Sequence, residues 1–463
     1  MSGSRKSRAL FTSRFGVIAA AAGSAIGLGN IWKFPYITGV YGGAAFLFVY
    51  LAFILAIGLP IMLSELIIGR KSRKNAFGAF KKLAPGTPWR FIGSFGVGAA
   101  FIILSFYGVV AGWSIRYIVF SLTNHFHNSS PEAISSTFNA FITSPGEPLV
   151  YQIIFMLMTG AIIMIGVQKG IERYSKILMP LLLTLILILD IRAVTLHGAY
   201  DGLRFLFKPD FSKLTYEGIL SALGHAFFSL SLGMGTLITY GSYVRKENNL
   251  VQTAIQVTAA DTIIAILAGI AIFPAVFAFN IEPGEGVGLI FITLPNVFMQ
   301  MPGGYIFSIM FFVLLTIAAL TSAISILEVV VAYFSEELKM KRNVATVFAT
   351  ILITLLGIIC SLSLGIFSDV IVFNRNIFDL LDHISANILL PLGGMFIALF
   401  IGWIYGRYKV LREVAHGGKL KGQFLKIFMV LVKFIAPIAI FIVFLKGIKV
   451  LDFLVTFIKT VIF

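Results

Sequence analysis

Apolar runs of about 20 residues recur along almost the whole of this chain, and that recurrence limits what it can fold into. A helix that spans a bilayer needs about that many consecutive apolar residues. In lipid, every backbone N–H and C=O must also be satisfied inside the spanning structure. With Gly, Pro and charged stretches taken as boundaries, eleven such runs are predicted, near 14–37, 43–69, 91–120, 149–167, 174–191, 217–243, 250–279, 304–334, 344–365, 377–405 and 424–446. The balance of the 463 residues agrees, with 58% hydrophobic and 12% charged, where soluble chains hold roughly 45–50% and 25%. The expected fold is an all-α polytopic membrane protein.

The distribution of Lys and Arg sets its orientation. Segments on alternate sides of the spans carry 25 and eight of these residues, and the richer side faces the cytoplasm by the positive-inside tendency. The N-terminus is then cytoplasmic and, after eleven spans, the C-terminus is exterior. The net charge of +16 is a matter of topology, so the lipid bilayer is an expected partner and nucleic acid is not. No cleavage-like site follows the basic opening MSGSRKSRALFTSR, so the first span is expected to stay as an anchor. Cys360 is the only cysteine, which excludes an intramolecular disulfide and a Cys-rich metal site. The expected organisation is a cytoplasmic segment at 1–13, a five-helix repeat at 14–192 and an exterior loop at 193–216. A second five-helix repeat follows at 217–405, then a cytoplasmic loop and eleventh helix at 406–446, and a tail at 447–463 that is too short and lysine-punctuated for a twelfth span.

Two spans break the rules of a membrane helix. In AAAGSAIGLGNIWKFP, residues 20–35, Gly23, Gly27, Gly29 and Asn30 sit mid-span and Pro35 closes the segment. Small residues four apart, such as Gly23 and Gly27, also serve close helix packing. Three glycines in seven residues, followed by Asn30, weaken helix throughout. The sixth run repeats the pattern: FFSLSLGMGTLITYGSY places Ser229, Ser231, Gly233 and Gly235 at its centre. These two spans open successive sets of five. Five is odd, so the second set crosses the membrane in the opposite sense, giving a 5+5 inverted repeat with helices 1 and 6 broken. Matching interruptions of this kind mark the midplane site of a secondary transporter, where freed carbonyls hold a cation and helix N-termini hold an anionic group.

At these residues the chain resembles the neurotransmitter:sodium symporter family, in particular its bacterial amino-acid transporters with the LeuT fold. GSAIGLGNIWKFPY, FFSLSLGMG, ITYGSYVRK, FPAVFAF, GLIFITLP and ALTSAISILE follow in family order across essentially the whole chain. The resemblance implies two sodium ions and no organic cofactor. The first ion would take Ala25, Asn30, Ser229 and Asp261 together with the substrate carboxylate. The second would take Gly23, Ile26, Ala318, Thr321 and Ser322. Hard oxygen donors of this kind suit an alkali cation. Outside that context, Thr321 and Ser322 read as hydroxyls bonded back to their own preceding turn.

Asp261 departs from the asparagine of many relatives. A mid-span carboxylate costs about 2.5–3.5 kcal/mol on insertion scales, and a sodium ion beside it offsets that cost and makes chloride unnecessary. Ala265, aligned with another residue of the chloride region, offers nothing polar. His225 stands where glutamine is usual, and reads either as a satisfied buried histidine or as a group titrating together with Asp261.

For the substrate, the resemblance implies that the amino-acid backbone lies against Ala25, Leu28 and Gly29, with the hydroxyls of Tyr107 and Ser231. Taken alone, Tyr107 is equally a core aromatic. Biogenic-amine members carry aspartate where this chain has Gly27, so the substrate is expected to bring its own carboxylate. The side-chain subsite would be Ser24, Ile103, Phe228, Met234, Ala323 and Ile326, which hold no charge and one hydroxyl; an apolar or aromatic amino acid fits such a lining. Lys33 and Asp382 would form the outer gate, with Asp379 near enough to compete. Arg8 and Glu336 would form the inner gate, braced by Phe11 and Tyr243, although Arg8 also reads as a topological charge. Glu65 would support the sixth-span break.

These parts imply a sodium-coupled symporter of the bacterial inner membrane that imports a hydrophobic or aromatic amino acid by alternating access, independently of chloride. A sodium-dependent sensor on the same fold is the competing class. An enzyme is not expected, because no HExxH pair, nucleophile–base constellation or phosphate loop occurs. His125 and His127 in HFHNSSPE are weak evidence for a metal site.

Overall fold

The computed structural model describes residues 9–279, 286–414 and 422–450. Among them, regular structure is helical apart from one isolated bridge between Val372 and Arg375. Among the described residues nine helices are long and apolar enough to cross a bilayer: Ala44–Ser72, Arg90–Leu122, Glu147–Ile165, Val167–Val194, Leu250–Ala278, Gly304–Glu336, Arg342–Leu362, Ile377–Tyr405 and Gln423–Gly447. The pair Arg14–Ala25 and Gly29–Val40, bent by 50°, makes a tenth when taken as one broken span.

The run at 217–243, expected to be interrupted at its centre, is interrupted there. It forms two short helices, Tyr216–Ser229 and Thr236–Gly241, neither long enough to cross alone. Between them Ser231, Gly233 and Gly235 take φ values of +54°, +80° and +76°, a left-handed backbone that a right-handed helix cannot continue.

Burial separates an inner scaffold from a rim. Arg90–Leu122 and Gly304–Glu336 pack along one another and are buried over 72% and 83% of their most apolar stretches, against 28% for Val167–Val194 and 33% for Gln423–Gly447. The rim turns Leu55, Leu157, Ile191 and Ile438 outward. Lipid tails are as apolar as leucine, so this arrangement needs no further partner. Both broken helices lie against the inner scaffold or next to it. Arg14–Ala25 packs on Gly304–Glu336, and Ala44–Ser72 runs beside both halves of the second break.

Local signals start these helices where the apolar runs start. Ser13 accepts a hydrogen bond from Gly16 N at the first, Thr215 from Gly218 N at the sixth and Asn249 from Gln252 N at the seventh, each an N-cap of the usual residue type.

Candidate functional site

The first helix ends where its alanines give way to Ile26, whose extended backbone (φ −74°, ψ 106°) leaves the helix. After two irregular residues the chain resumes in a wide turn, Gly29–Lys33. This unwound backbone is satisfied from outside its own helix. Gly27 N donates to Asn30 Oδ1 at 3.0 Å and Leu28 N to the Tyr107 hydroxyl at 3.2 Å. Ser24 O accepts from Ser231 Oγ at 2.8 Å and from Ser322 Oγ at 3.1 Å.

The second break is held in the same way. Gly233 N donates to Glu65 Oε1 at 2.7 Å, and Thr236 Oγ1 donates to Ser231 O at 3.1 Å. Gly233 must be glycine twice over. Its φ is positive, and a Cβ there would lie 2.4 Å from Leu390 O.

Between the breaks lies a buried polar cluster. Asn30 Nδ2 donates to Asp261 Oδ1 at 2.7 Å, to Asp261 O at 3.1 Å and to Ser229 Oγ at 3.2 Å. Ser229 Oγ meets the two Asp261 carboxylate oxygens at 2.9 and 3.1 Å, and the Tyr50 hydroxyl donates to Ser229 Oγ at 3.3 Å. All four residues are buried. Among the described residues no basic side chain forms an ion pair with Asp261, so one carboxylate stands in the core with neutral donors only. Nor does any group of three or more His, Cys, Asp or Glu gather among them. The donor set is one carboxylate with hydroxyl and amide oxygens, the chemistry of a hard monovalent cation. Asn30 Oδ1 accepts one hydrogen bond, from Gly27 N, and keeps a second lone pair.

The other residues expected at sodium sites separate into two arrangements. Gly23 packs on Thr321, where an added Cβ would lie 3.2 Å from Thr321 Cβ, and Ser322 reaches the first break through Ser24 O. Thr321 Oγ1 instead bonds back to Ile317 O and Ala318 O at 3.1 and 3.0 Å, the habit of hydroxyls in membrane helices. Ala25 and Ile26 are buried at the end of the first helix.

Around the first break, Gly27 faces Tyr107 and Ser322 so closely that a Cβ would lie 2.8 Å from the tyrosine oxygen. An aspartate in its place would displace the hydroxyl that caps Leu28. Phe228 covers Gly29, with its ring 3.2 Å from where a Cβ would stand. Ser24 is fully buried and its hydroxyl has no partner among the described residues, while Ile103, Met234, Ala323 and Ile326 are all buried.

Above Phe228 a cavity of about 380 Å³ reaches from Lys33 and His225 to the ends of the tenth and eleventh helices. Lys33 Nζ sits 4.5 Å from the centre of the Phe228 ring. Among the described residues it forms no ion pair with Asp382 or Asp379, which the sequence places near the outer gate.

The opposite side is closed. Phe11 packs edge-on against Tyr240 and Tyr243 at 5.7 and 5.9 Å, and its carbonyl accepts from Arg245 Nε at 2.9 Å. Arg8, expected to pair with Glu336, lies outside the described residues. Glu336 accepts from Asn75 N and Nδ2 at 3.2 and 3.1 Å and lies 4.0 Å from Lys74 Nζ.

Sequence reasoning missed the strongest elements of this closed side. Arg342 forks onto the fully buried Glu328 at 2.9 and 2.6 Å, and the Tyr243 hydroxyl adds a bond of 2.6 Å to the same carboxylate. Glu172 takes Thr12 N, Thr12 Oγ1 and Ser13 N at 2.7, 2.6 and 3.2 Å, with Lys176 Nζ at 2.6 Å. A signal for the first was present, because Glu328 stands alone in the apolar run SILEVVV, where a carboxylate needs a partner or a role.

Comparison with known proteins follows from this geometry. A family model described as the sodium:neurotransmitter symporter family matches residues 8–140 and 125–456. YhdH of Bacillus subtilis strain 168, a sodium-dependent transporter, is 42% identical over 443 residues, covering 96% of this chain and 98% of its own. A sodium-dependent transporter of Haemophilus influenzae is 38% identical over 458 residues, with 96% of this chain and 100% of its own covered. The crystal structure of MhsT in complex with L-phenylalanine matches with a TM-score of 0.89 at 50% identity, covering 95% of this chain and 100% of that one.

The Glu328–Arg342 pair yields a stability prediction. Arg342→Gln strands a buried carboxylate and should cost about 3–5 kcal/mol, read as a lowered thermal midpoint in detergent. Glu328→Gln combined with Arg342→Gln should restore most of that loss. Equal losses in the single and double variants would contradict the pairing.

Proposed function

The chain belongs to the sodium:neurotransmitter symporter family, and on that premise we propose that it imports a hydrophobic or aromatic amino acid with sodium, without needing chloride. One observation carries the reading. Asn30 from the first break, Ser229 from the second and Asp261 between them are hydrogen-bonded into one buried cluster. A cation there ties the two broken helices together and meets a carboxylate that has no basic partner.

On this reading the first sodium takes Ala25, Asn30, Ser229 and Asp261, with the substrate carboxylate completing its shell. The second takes Gly23, Ile26, Ala318, Thr321 and Ser322, after the Thr321 hydroxyl turns from its own helix. The substrate's carboxylate displaces Tyr107 from Leu28 N, and its side chain lies among Ile103, Phe228, Met234, Ala323 and Ile326. L-phenylalanine, bound by MhsT, fits that apolar lining. Asp261 supplies the negative charge, and Ala265 adds no competing group.

Transport follows from the asymmetry of the two sides. With Phe228 below an outer cavity and Phe11 sealed against Tyr240 and Tyr243, the site is reached from the exterior. Sodium and substrate together satisfy the unwound segments, the outer side closes, and the Phe11 and Glu328 contacts release. Each sodium charge driven inward contributes about 2.3 kcal/mol per 100 mV of membrane potential. Because the substrate shares the first ion, each raises the other's affinity by the same factor. The two interrupted helices are read as opening the two halves of an inverted repeat, with the N-terminus in the cytoplasm.

Proteoliposome uptake tests this. Labelled phenylalanine, tryptophan or leucine should accumulate under an inward sodium gradient in gluconate, and not under an equal potassium gradient. Sodium-dependent binding without accumulation would favour a sensor. Asp261→Asn should cut uptake in gluconate about tenfold or more, and added chloride should restore part of it. Tyr107→Phe should raise the KM for the amino acid about tenfold with little change for sodium in its absence.

A further inference from the structure

The outer cavity has a charge balance that sodium coupling does not call for. Among the described residues its walls carry Lys33, Arg375, Lys446 and Lys449 and one carboxylate, Glu217, while His225 lies on its floor. Lys33, Arg375 and Lys446 are only partly exposed. The clustering runs against the topological trend. Exterior segments hold eight Lys and Arg in all, yet Arg375, Lys446 and Lys449 come from the segment before the tenth helix and from the end of the eleventh to meet in one concavity. Among the described residues no ion pair joins Lys33, Arg375 or Lys449 to a carboxylate. On the floor, both ring nitrogens of buried His225 lack a hydrogen-bond partner among the described residues, so an unpartnered polar group lies beneath the cations.

Concave walls of low dielectric focus such a field, which concentrates ions of opposite sign and repels those of the same sign. A guanidinium fork and nearby ammonium groups are the usual means of recognising an oxyanion. Lys33, Arg375 and Lys449, with no ion-paired carboxylate among the described residues, also match a divalent anion better than a monovalent one.

We infer that the outer cavity is a binding site for a small divalent oxyanion of the sulfate or phosphate class, held chiefly by Arg375, Lys449 and Lys33, and separate from the sodium and amino-acid sites. The site has a consequence for sodium. Left uncompensated, the cations oppose the approach of another cation to the cluster below; a bound oxyanion cancels that opposition and lowers the sodium concentration needed for uptake. Anion sensitivity thus arises in the vestibule and not at Asp261. The effect on sodium rests on the symport reading; the binding of the anion does not.

The test uses the full chain in nanodiscs and proteoliposomes, with sulfate as the probe and gluconate holding ionic strength constant, since surface fields are screened by salt. Calorimetry without sodium should show saturable sulfate binding. Arg375→Gln combined with Lys449→Gln should weaken it about tenfold or more, the loss of two charge-assisted contacts, and Arg204→Gln, on another exterior segment, should leave it unchanged. In uptake assays sulfate should lower the sodium KM of the native protein about threefold or more. The double variant should show the lowered KM in gluconate already, with no further response to sulfate. Absence of saturable binding, or binding that survives the double substitution, overturns the site. Sulfate binding lost in the variant, combined with no sodium-driven uptake, upholds the site and indicts the symport reading instead.

Discussion

Backbone that leaves a helix inside a membrane has to be satisfied by something other than water, and most of the centre of this protein is arranged around that need. Two helices are unwound, and their freed groups are met by side chains from other helices. Tyr107 of the third span takes Leu28 N, Glu65 of the second takes Gly233 N, and Ser231 and Ser322 converge on Ser24 O. Each closure fixes one helix against a break. The breaks therefore locate their neighbours as much as the neighbours support them, and a ligand that competes for any of these groups acts on the packing of several helices at once.

Two buried carboxylates show how charge is divided between structure and transport. Glu328 is neutralised inside the protein by the Arg342 fork and capped by Tyr243. It lies on the side closed by Phe11 and needs nothing from solution. Asp261 is equally buried but, among the described residues, its hydrogen-bond partners such as Asn30 and Ser229 are neutral. Neutral donors stabilise a carboxylate less than a cation does, and a lone charge in the membrane is costly. On the proposed reading a sodium ion from solution completes Asp261, which makes this carboxylate the point of coupling.

Much of this was legible in the sequence because it is local or compositional. Apolar runs gave most spanning helices, and glycines beside Asn30 and Ser229 marked both interruptions. The sequence located the break in the sixth run, while the left-handed backbone at Ser231, Gly233 and Gly235 that makes it is seen only in the structure. Side-chain commitments were less accessible. Thr321 bonding to its own helix, the Asn30 amide presenting Nδ2, and Lys33 over Phe228 in place of a carboxylate all depend on neighbours far away along the chain. The Glu172 clasp on Thr12 and Ser13 joins residues 160 positions apart, and nothing in either segment announces the other. Arg8, with half of the expected inner gate, lies outside the described residues.

Sodium and substrate are proposed to share one site across the two breaks, and equilibrium binding of labelled sodium to the purified protein tests that most directly. Measured with and without saturating phenylalanine, sodium affinity should rise by some factor in the presence of the amino acid. Phenylalanine affinity should rise by the same factor in saturating sodium, as linkage requires. Substitution of Asn30 by alanine should abolish the reciprocal gain. Sodium binding indifferent to the amino acid would contradict a shared ion, and with it the reading of the Asn30, Ser229 and Asp261 cluster as the point of coupling.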